Sequence, residues 1–329
     1  MSTVPLSILD LAFVGDHETV AESFAGSVRL AQRAEALGYR RVWYAEHHNI
    51  RSIASSATAV LIAHVAAHTE RIRLGSGGIM LPNHSPLVIA EQFGTLATLH
   101  PDRIDLGLGR APGSDQQTFR ALRRDPAAAE RFPQDVLELQ AYLAGETRVP
   151  GVDAVPGKGS NVPLYILGSS LFGAQLAAVL GLPYGFASHF APQDLHEAIK
   201  IYRERFQPSA QLDRPYVMAG VNVIAADTDA AADEQLQRTR RARARHLFNR
   251  NGRPLTDDEA ESILRSAQGV HVDRMMTYTV AGTPKVVKDW LDDFVTATGV
   301  DEVIVVHPAD NAATRLRSVE LLAEAAIEA

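Results

Sequence analysis

Strand-like and helix-like segments alternate along the whole chain, and this pattern constrains the fold more than any other feature of the sequence. Eight short apolar segments read as β-strands, and a connecting segment with helical character follows each of them. The predicted strands cover residues 6–11, 41–45, 71–77, 104–109, 163–168, 184–188, 217–225 and 301–307. Alternating elements predict a parallel sheet, and eight such units in 329 residues favour a closed (β/α)8 TIM barrel with loop insertions at its C-terminal rim. An open dinucleotide-binding sheet is the weaker reading, because no Gly-x-Gly-x-x-Gly motif follows the first strand.

The composition is uniform and excludes several classes of protein. No break marks a domain boundary, so residues 1–329 are predicted to form a single domain. The chain has no cysteine, which rules out disulfides, thiolate nucleophiles, zinc-thiolate sites and iron–sulfur clusters. A net charge of −7 argues against general nucleic-acid binding. The sequence shows neither a signal peptide nor an apolar run long enough to span a membrane, and a cytoplasmic protein is expected.

Two polar segments leave alternatives open. Residues 249–274 are polar and irregular, and we predict that they form a mobile lid. The basic run at residues 238–246 follows acidic residues, so it is typical of the solvated end of a helix. The alternatives for this basic run are contact with an anionic substrate or a reductant, and contact with nucleic acid.

The second predicted strand runs directly into an acid and two histidines, Glu46, His47 and His48. Neighbouring side chains on an extended segment point to opposite faces, so the two histidines cannot easily share one metal ion. The pattern therefore favours a single catalytic or ligand-binding imidazole and no metal. For Glu46 a structural role is favoured, either pairing with an arginine or capping a backbone turn.

Other strand ends carry glycines, hydroxyls and a cation, which suit a phosphate-bearing ligand. Gly168, Ser169 and Ser170 combine free amides and hydroxyls at a helix start, and Arg110 follows the fourth strand. Each feature also has a plain structural reading, as a helix cap or a surface ion pair. Similarly, Gly77–Gly78 reads as either a ligand platform or a tight turn.

Two further histidines are expected near the rim. His189 follows the sixth strand and is a candidate contact for a flavin or a substrate. His84 lies between two prolines, where pocket lining and a surface loop are equally compatible with the sequence.

These motifs resemble the bacterial luciferase-like flavin-dependent monooxygenase family. The resemblance rests on four segments in the family's order, namely 46–48, 74–82, 102–110 and 167–183, and it extends over most of the chain. Within the family, the subgroup with no assigned substrate resembles the chain best.

The resemblance implies a barrel that receives reduced FMN from a separate flavin reductase and uses it with O2 to oxygenate a small organic substrate. His47 resembles the family histidine beside the flavin ring, which assists formation or breakdown of the flavin 4a-hydroperoxide. Gly77–Gly78 resembles the site of a non-prolyl cis peptide under the flavin. Arg110, Ser169, Ser170 and Gly173 fall where the family holds the FMN phosphate. A homodimer, packed through the early helices, is also implied.

Departures from the family pattern narrow the expected chemistry. Gly109 stands where luciferase itself has a cysteine, and Ser169 stands where it has a glutamate. Both put a light-emitting aldehyde reaction in doubt. The rival hypotheses are a deazaflavin (F420)-dependent hydride-transfer enzyme on the same barrel, and a non-catalytic flavin-binding protein. A metal-dependent barrel hydrolase is disfavoured because no His-x-His ends the first strand.

Overall fold

The computed structural model describes residues 4–15, 17–111, 116–248 and 255–327. The sequence favours Asp115 as a helix cap, with a contact to the flavin pyrimidine as the alternative. Asp115 and residues 249–254 of the predicted lid lie outside the described set. The strands are β1 Leu6–Asp10, β2 Arg41–Tyr44, β3 Arg73–Met80, β4 Ile104–Gly109, β5 Leu164–Gly168, β6 Tyr184–Phe186, β7 Val217–Ala225, β8 Thr279–Gly282 and β9 Glu302–Val306. The α-helices are α1 Val20–Ala36, α2 Thr58–Ala66, α3 Pro86–Leu99, α4 Gln116–Ala121, α5 Phe132–Ala144, α6 Leu171–Leu180, α7 Leu195–Arg205, α8 Asp229–Phe248, α9 Asp257–Leu264, α10 Gly269–Met275, α11 Pro284–Thr298 and α12 Ala312–Ala326.

Eight of the strands close into a parallel barrel. β1 to β7 pair in sequence order, and β9 closes the ring between β7 and β1. These are the eight strands predicted from the sequence, with ends that differ by at most three residues, so the (β/α)8 prediction is confirmed. The short β8 was not predicted; it pairs only with the far end of β7, beyond the reach of β9.

The barrel interior is filled by side chains that alternate along the strands. Leu9, Trp43, Tyr165, Met218 and Ile304 pack together inside it, one from each of five strands. A larger apolar cluster fills the space between the barrel and the surrounding helices. The interior is therefore a packed core rather than a channel, and a ligand has room only at the end where the strands open into loops.

Helix boundaries follow local chemistry that the sequence displays. Thr19 caps α1 through a reciprocal capping box with Glu22. α6 and α11 end at Gly181 and Gly299, which take the left-handed conformation that glycine adopts at little cost. Gly181 and Gly299 thus begin the short turns that lead into β6 and β9.

The segment after β7 differs from the prediction. Residues 249–274 were expected to be irregular, yet α9 and α10 occupy most of the described part of that range. Ala244, Ala260 and Val272 form a small apolar core that packs these two helices against α8. The sequence contained a signal for the start of α9, because Thr256 and Glu259 have the spacing of a capping box and form one there. Among the described residues, none of the helices is both long and apolar enough to cross a membrane.

Candidate active site

The two adjacent histidines after β2 each lie near another titratable side chain. His48 Nε2 lies 2.9 Å from Glu46 Oε1, so Glu46 and His48 share one side of the segment. His47 is half-buried and interacts electrostatically with His189. Among the described residues, no group of three or more His, Asp or Glu side chains is arranged to hold a metal ion.

Glu46 is a buried anchor for the loops around His47. Its carboxylate accepts hydrogen bonds from the Met80 amide at 3.0 Å and from Asn83 Nδ2 at 3.2 Å, and His84 Nε2 lies 2.9 Å away. Burial by itself would raise the pKa of Glu46, but the contacts with His48, His84 and the Met80 amide outweigh it and lower that pKa to about 2. The structural role predicted for Glu46 is confirmed, with two histidines in place of the expected arginine.

The glycine-rich end of β3 lies beside these loops. The Gly77–Gly78 peptide is cis, as the family resemblance implies, and the register between β3 and β4 shifts between Ser76 and Ile79. An added Cβ at Gly78 would lie 2.7 Å from the Gly107 carbonyl oxygen, so a side chain there would force β3 away from β4. The residue pair therefore presents bare backbone at the rim.

Arg110 and the start of α6 come together on the next part of the rim. The Arg110 guanidinium carbon lies 4.3 Å from the ring centre of Phe172, which is the second residue of α6. Ser170, at the N-cap, makes no side-chain capping hydrogen bond, and the first turn of α6 contains no acidic residue. Ser169 and Arg110 are both exposed. A helix N-terminus, two hydroxyls and a guanidinium thus converge in the arrangement that suits a phosphate group.

Gly173 is buried one turn into α6, where it allows the helix to pack closely against the barrel. An added Cβ would lie 3.3 Å from the Tyr184 ring and 3.6 Å from the Gly168 Cα. The Tyr184 hydroxyl in turn donates to the Ser170 carbonyl oxygen at 3.2 Å. This packing fixes the start of α6 relative to β5 and β6.

His189 faces His47 across the mouth of the barrel. It follows β6, which is four strands from β2 in the eight-stranded ring. Asn222 Nδ2 donates to the His189 carbonyl oxygen at 2.7 Å. Burial, followed by the nearby Arg243 and His47, lowers the pKa of His189 to about 3, so the imidazole is neutral at physiological pH.

The basic run on α8 binds neighbouring elements and is not a freely solvated helix end. Ion pairs join Arg238 to Asp310, Arg240 to Asp273, Arg241 to Glu261 and Arg245 to Asp257. A fifth member, Arg243, reaches the His189 carbonyl oxygen at 3.5 Å. α8 therefore extends from the end of β9 to the end of β6, along the rim above the barrel.

The predicted site residues accordingly fall on one end of the barrel, at the C-terminal ends of β2 to β6. Sequence reasoning missed Asn222 and Gly220, on β7, and the role of Arg243 on α8. A signal existed for Asn222, because it is the single polar side chain in a strand that is otherwise apolar or glycine. For Gly220 and Arg243, the sequence alone offers nothing that separates them from their neighbours.

Comparison with known proteins finds relatives that match almost the whole chain. The chain is 49% identical over 322 residues to the uncharacterized protein YvbT of Bacillus subtilis, covering 97% of this chain and 96% of that protein. It is 45% identical over 321 residues to a luciferase-like monooxygenase of Escherichia coli K12, with the same coverage, and 32% identical over 341 residues to the N-acetyl-S-alkylcysteine monooxygenase of Bacillus subtilis, covering 99% of both proteins.

Solved structures extend the comparison to the fold. The crystal structure of apo-MsnO8 matches with a TM-score of 0.88 at 38% identity over 98% of both chains. More distant structures share the fold alone. One is the oxygenating constituent of 3,6-diketocamphane monooxygenase of Pseudomonas putida in complex with FMN. It matches with a TM-score of 0.74 at 16% identity, over 99% of this chain and 98% of that one. The tetrahydromethanopterin reductase of Methanopyrus kandleri, which depends on coenzyme F420, matches with a TM-score of 0.71 at 20% identity over 99% of both chains. The family description of luciferase-like monooxygenases matches residues 4–302, and the chain belongs to this family.

Proposed function

We propose that the protein is an FMN-dependent monooxygenase that uses reduced FMN and O2 to oxygenate a small organic substrate. The observation that carries the proposal is the position of Arg110 over Phe172, beside the N-terminus of α6. That arrangement supplies charge, hydroxyls and backbone amides to a terminal phosphate such as that of FMN.

The residues fit an FMN molecule that extends across the rim. Arg110, Ser169 and Ser170 would hold the phosphate, and Gly173 would allow α6 to approach it closely. The bare backbone of Gly77–Gly78 would lie against the flat flavin ring. Bound reduced flavin supplies the electrons with which O2 is activated.

The protein's own contribution would be to bind and orient the flavin and to protect the site from water. His47 would serve as an acid, a base or a hydrogen-bond partner beside the flavin, since imidazole titrates near physiological pH. Glu46 would keep the loops around His47 in place. The helices α8, α9 and α10 would limit the access of water to the mouth of the barrel.

Partners follow from the same chemistry. A flavin reductase would supply reduced FMN, because no second nucleotide-binding fold accompanies the barrel in the described part of the chain. The distant FMN complex supports FMN as the cofactor. The N-acetyl-S-alkylcysteine monooxygenase among the relatives makes acylated amino-acid thioethers a suitable first group for a substrate screen. A homodimer is compatible with α2, where Val60 is 70% exposed on an apolar helix.

Hydride transfer with a deazaflavin is the second candidate, because structural neighbours with the same fold use F420. Equilibrium binding of FMN and of F420, followed by anaerobic reduction in each case, distinguishes the two. Binding of FMN and O2-dependent product formation would support the monooxygenase. Preference for F420 and substrate turnover without O2 would support the rival. Tight FMN binding with neither reaction would indicate a flavin carrier.

Replacing His47 tests the catalytic part of the proposal. His47→Ala should slow oxygenation by roughly 100-fold or more, the usual range for loss of an acid–base group, while FMN binding stays nearly unchanged. Rapid mixing of the protein and reduced FMN with O2, monitored by flavin absorbance, measures the reaction. His64→Ala, at an exposed position on α2, is the matched control. Equal rates for the His47 variant and this control would remove His47 from the mechanism.

A further inference from the structure

The orientation of His189 defines which of its two ring nitrogens is presented to a ligand. A Cβ built on Gly220 would lie 2.3 Å from His189 Nδ1 and 3.2 Å from each of the two ring carbons bonded to Nδ1. The imidazole therefore points its Nδ1 corner directly at Gly220. The opposite edge of the ring, which contains Nε2, faces away from β7.

Gly220 belongs to the inward-facing set of β7, so the ring lies inside the mouth of the barrel. Met218, two residues earlier, packs in the interior cluster, and alternate residues of a strand share a face. Nδ1 is buried and has no hydrogen-bond partner among the residues described. The edge with Nε2 is consequently the part of the ring that a bound molecule can reach.

The environment also determines where the ring proton resides. The neighbouring charge of Arg243 and the interaction with His47 both disfavour a second proton, and with burial they hold the pKa of His189 at about 3. In a neutral imidazole one nitrogen carries hydrogen and the other a lone pair. A proton on Nδ1 would be buried against the Gly220 Cα without an acceptor, which is unfavourable. A lone pair at Nδ1 faces only the Cα–H, a weak but favourable contact.

We infer that His189 binds the organic substrate through a neutral Nε2–H donor that points into the mouth of the barrel. Its partner is an uncharged acceptor oxygen, such as the carbonyl oxygen of a ketone, aldehyde, ester or amide. A neutral donor suits such an oxygen, because an anionic group would instead favour the protonated ring. This assignment rests on the proposed flavin monooxygenase function.

The position of His189 relative to the proposed flavin site favours the substrate as its partner. The residues assigned to FMN lie at the ends of β3, β4 and β5, with His47 after β2. His189 follows β6 and leans on β7, where Asn222 Oδ1 is a second buried polar atom without a partner among the described residues. His189 and Asn222 therefore lie on the β6–β7 side of the mouth, beside the proposed flavin site, where a substrate would be held.

The protonation state can be measured without any reaction. In protein labelled with 15N in its histidine rings, two-bond 1H–15N correlation spectra identify the tautomer of each ring, and loss of one signal set in His189→Gln assigns His189 among the 12 histidines. We expect a neutral Nε2–H tautomer throughout pH 5–8. A proton on Nδ1, or a charged ring at pH 7, would overturn the inference.

The partner is tested on the FMN-loaded protein with cyclohexanone as a soluble carbonyl probe. The His189 Nε2–H signal should move downfield with the ketone and not with FMN alone, and His189→Leu should weaken ketone binding by about threefold to tenfold, the value of one neutral hydrogen bond. Gly220→Ala should weaken it similarly, because the added methyl group displaces the ring while the imidazole is kept. His64→Leu, at an exposed position on α2, should have no effect.

The outcomes separate this inference from the proposed function. A signal that moves with FMN and not with the ketone would assign the donor to the flavin, and no movement with the ketone would equally reject the substrate role. FMN binding is measured by its fluorescence. If FMN does not bind while His189 retains its tautomer and its response to the ketone, the flavin proposal is refuted instead.

Discussion

The two ends of the barrel place polar groups in its interior in opposite ways. At the N-terminal end, Arg41 lies 2.7 Å from Asp105 Oδ2 and 3.1 Å from Glu302 Oε2, and all three side chains are buried. At the C-terminal end, His189 Nδ1 and Asn222 Oδ1 are buried without partners among the described residues. One end pairs its buried charges within the protein, and the other holds neutral polar groups, with the Nε2 edge of His189 left open to a ligand. In a barrel enzyme the first pattern is expected of a structural floor and the second of a binding site.

We call the buried network around Arg41, Asp105 and Glu302 the floor, and it joins strands that are far apart in the chain. Tyr165 accepts from Arg41 Nη1 at 2.8 Å, and the Tyr216 and Ser7 hydroxyls donate to Glu302 at 2.6 and 2.5 Å. Arg73 adds a second cation to Asp105. Strands β1, β2, β3, β4, β5 and β9 thus contribute to one charged layer. Removing a single member leaves the others charged and buried, which makes the layer intolerant of substitution.

The strongest test of the comparison is Arg41→Met. Loss of the guanidinium leaves Asp105 and Glu302 with an uncompensated buried charge, and we expect unfolding free energy to fall by about 3–5 kcal/mol. Urea unfolding monitored by tryptophan fluorescence measures the change. Arg33→Met is the matched control, because its ion pair with Glu320 has the same 2.7 Å length but is partly exposed, and it should cost about 1 kcal/mol or less. Equal losses for the two variants would contradict the structural role of the floor.

Glu46 is a buried charge at the upper end, and it is paired with histidines. Its pKa of about 2, below the ordinary value of 4.5, means that the folded state binds its proton more weakly than the unfolded state does. The resulting stabilisation, on the order of 3 kcal/mol, is complete above pH 4.5 and is lost as pH falls from 4.5 towards 2. We expect Glu46→Gln to be less stable than the parent protein at pH 7.

The difference in unfolding free energy between the parent protein and Glu46→Gln should depend on pH, and this dependence tests the role of the charge. Urea unfolding of both proteins at pH 7, 5, 4 and 3 should give a difference in unfolding free energy that is constant down to about pH 5 and becomes smaller below it. If the difference in unfolding free energy does not change with pH, Glu46 stabilises the protein through packing rather than through its charge.

Arg110→Met examines the binding end without disturbing the floor. Arg110 is exposed and contacts Phe172 at the rim, so its loss should change unfolding free energy by about 0.5 kcal/mol or less. FMN affinity should fall by about 10-fold to 100-fold, corresponding to about 1.5–3 kcal/mol for a charge-assisted contact. Fluorescence titration with FMN measures it, and Arg71→Met, an exposed arginine preceding β3, serves as control. Equal FMN affinity in the two variants would remove Arg110 from the phosphate site.

The difference between the two ends also explains what the sequence could predict. Strands, helices and the rim motifs depend on local patterns, and the glycines, Arg110, Ser170 and His47 lie directly at the strand ends that those patterns define. The floor depends on pairs separated by 64 residues, as for Arg41 and Asp105, or by 261, as for Arg41 and Glu302. No local pattern connects such residues, because their contact arises only when the barrel closes.

The orientation of His189 was unpredictable for a related reason. Its position after β6 follows from the alternation of strands and helices, but the orientation of its ring depends on Gly220 of β7, and its lowered pKa depends on burial and on Arg243 of α8. The basic run on α8 was likewise read correctly as helical and incorrectly as solvated, since its acidic partners lie on α9, α10 and the loop after β9.

The smallest expected effect concerns how the helices above the mouth are held. Arg241 and Glu261 join α8 to α9 at 2.9 Å, with side chains 23% and 36% exposed, in contrast to the buried Arg41 pairs of the floor. A double-mutant cycle with Arg241→Ala and Glu261→Ala should give a coupling of about 0.2–1 kcal/mol that disappears in 1 M NaCl. The coupling between Arg41 and Asp105 should be larger and should persist in salt, because burial limits screening. If the Arg241–Glu261 coupling equals that of the floor and resists salt, α8 and α9 are fixed as firmly as the barrel, and α9 is not part of the mobile lid predicted for residues 249–274.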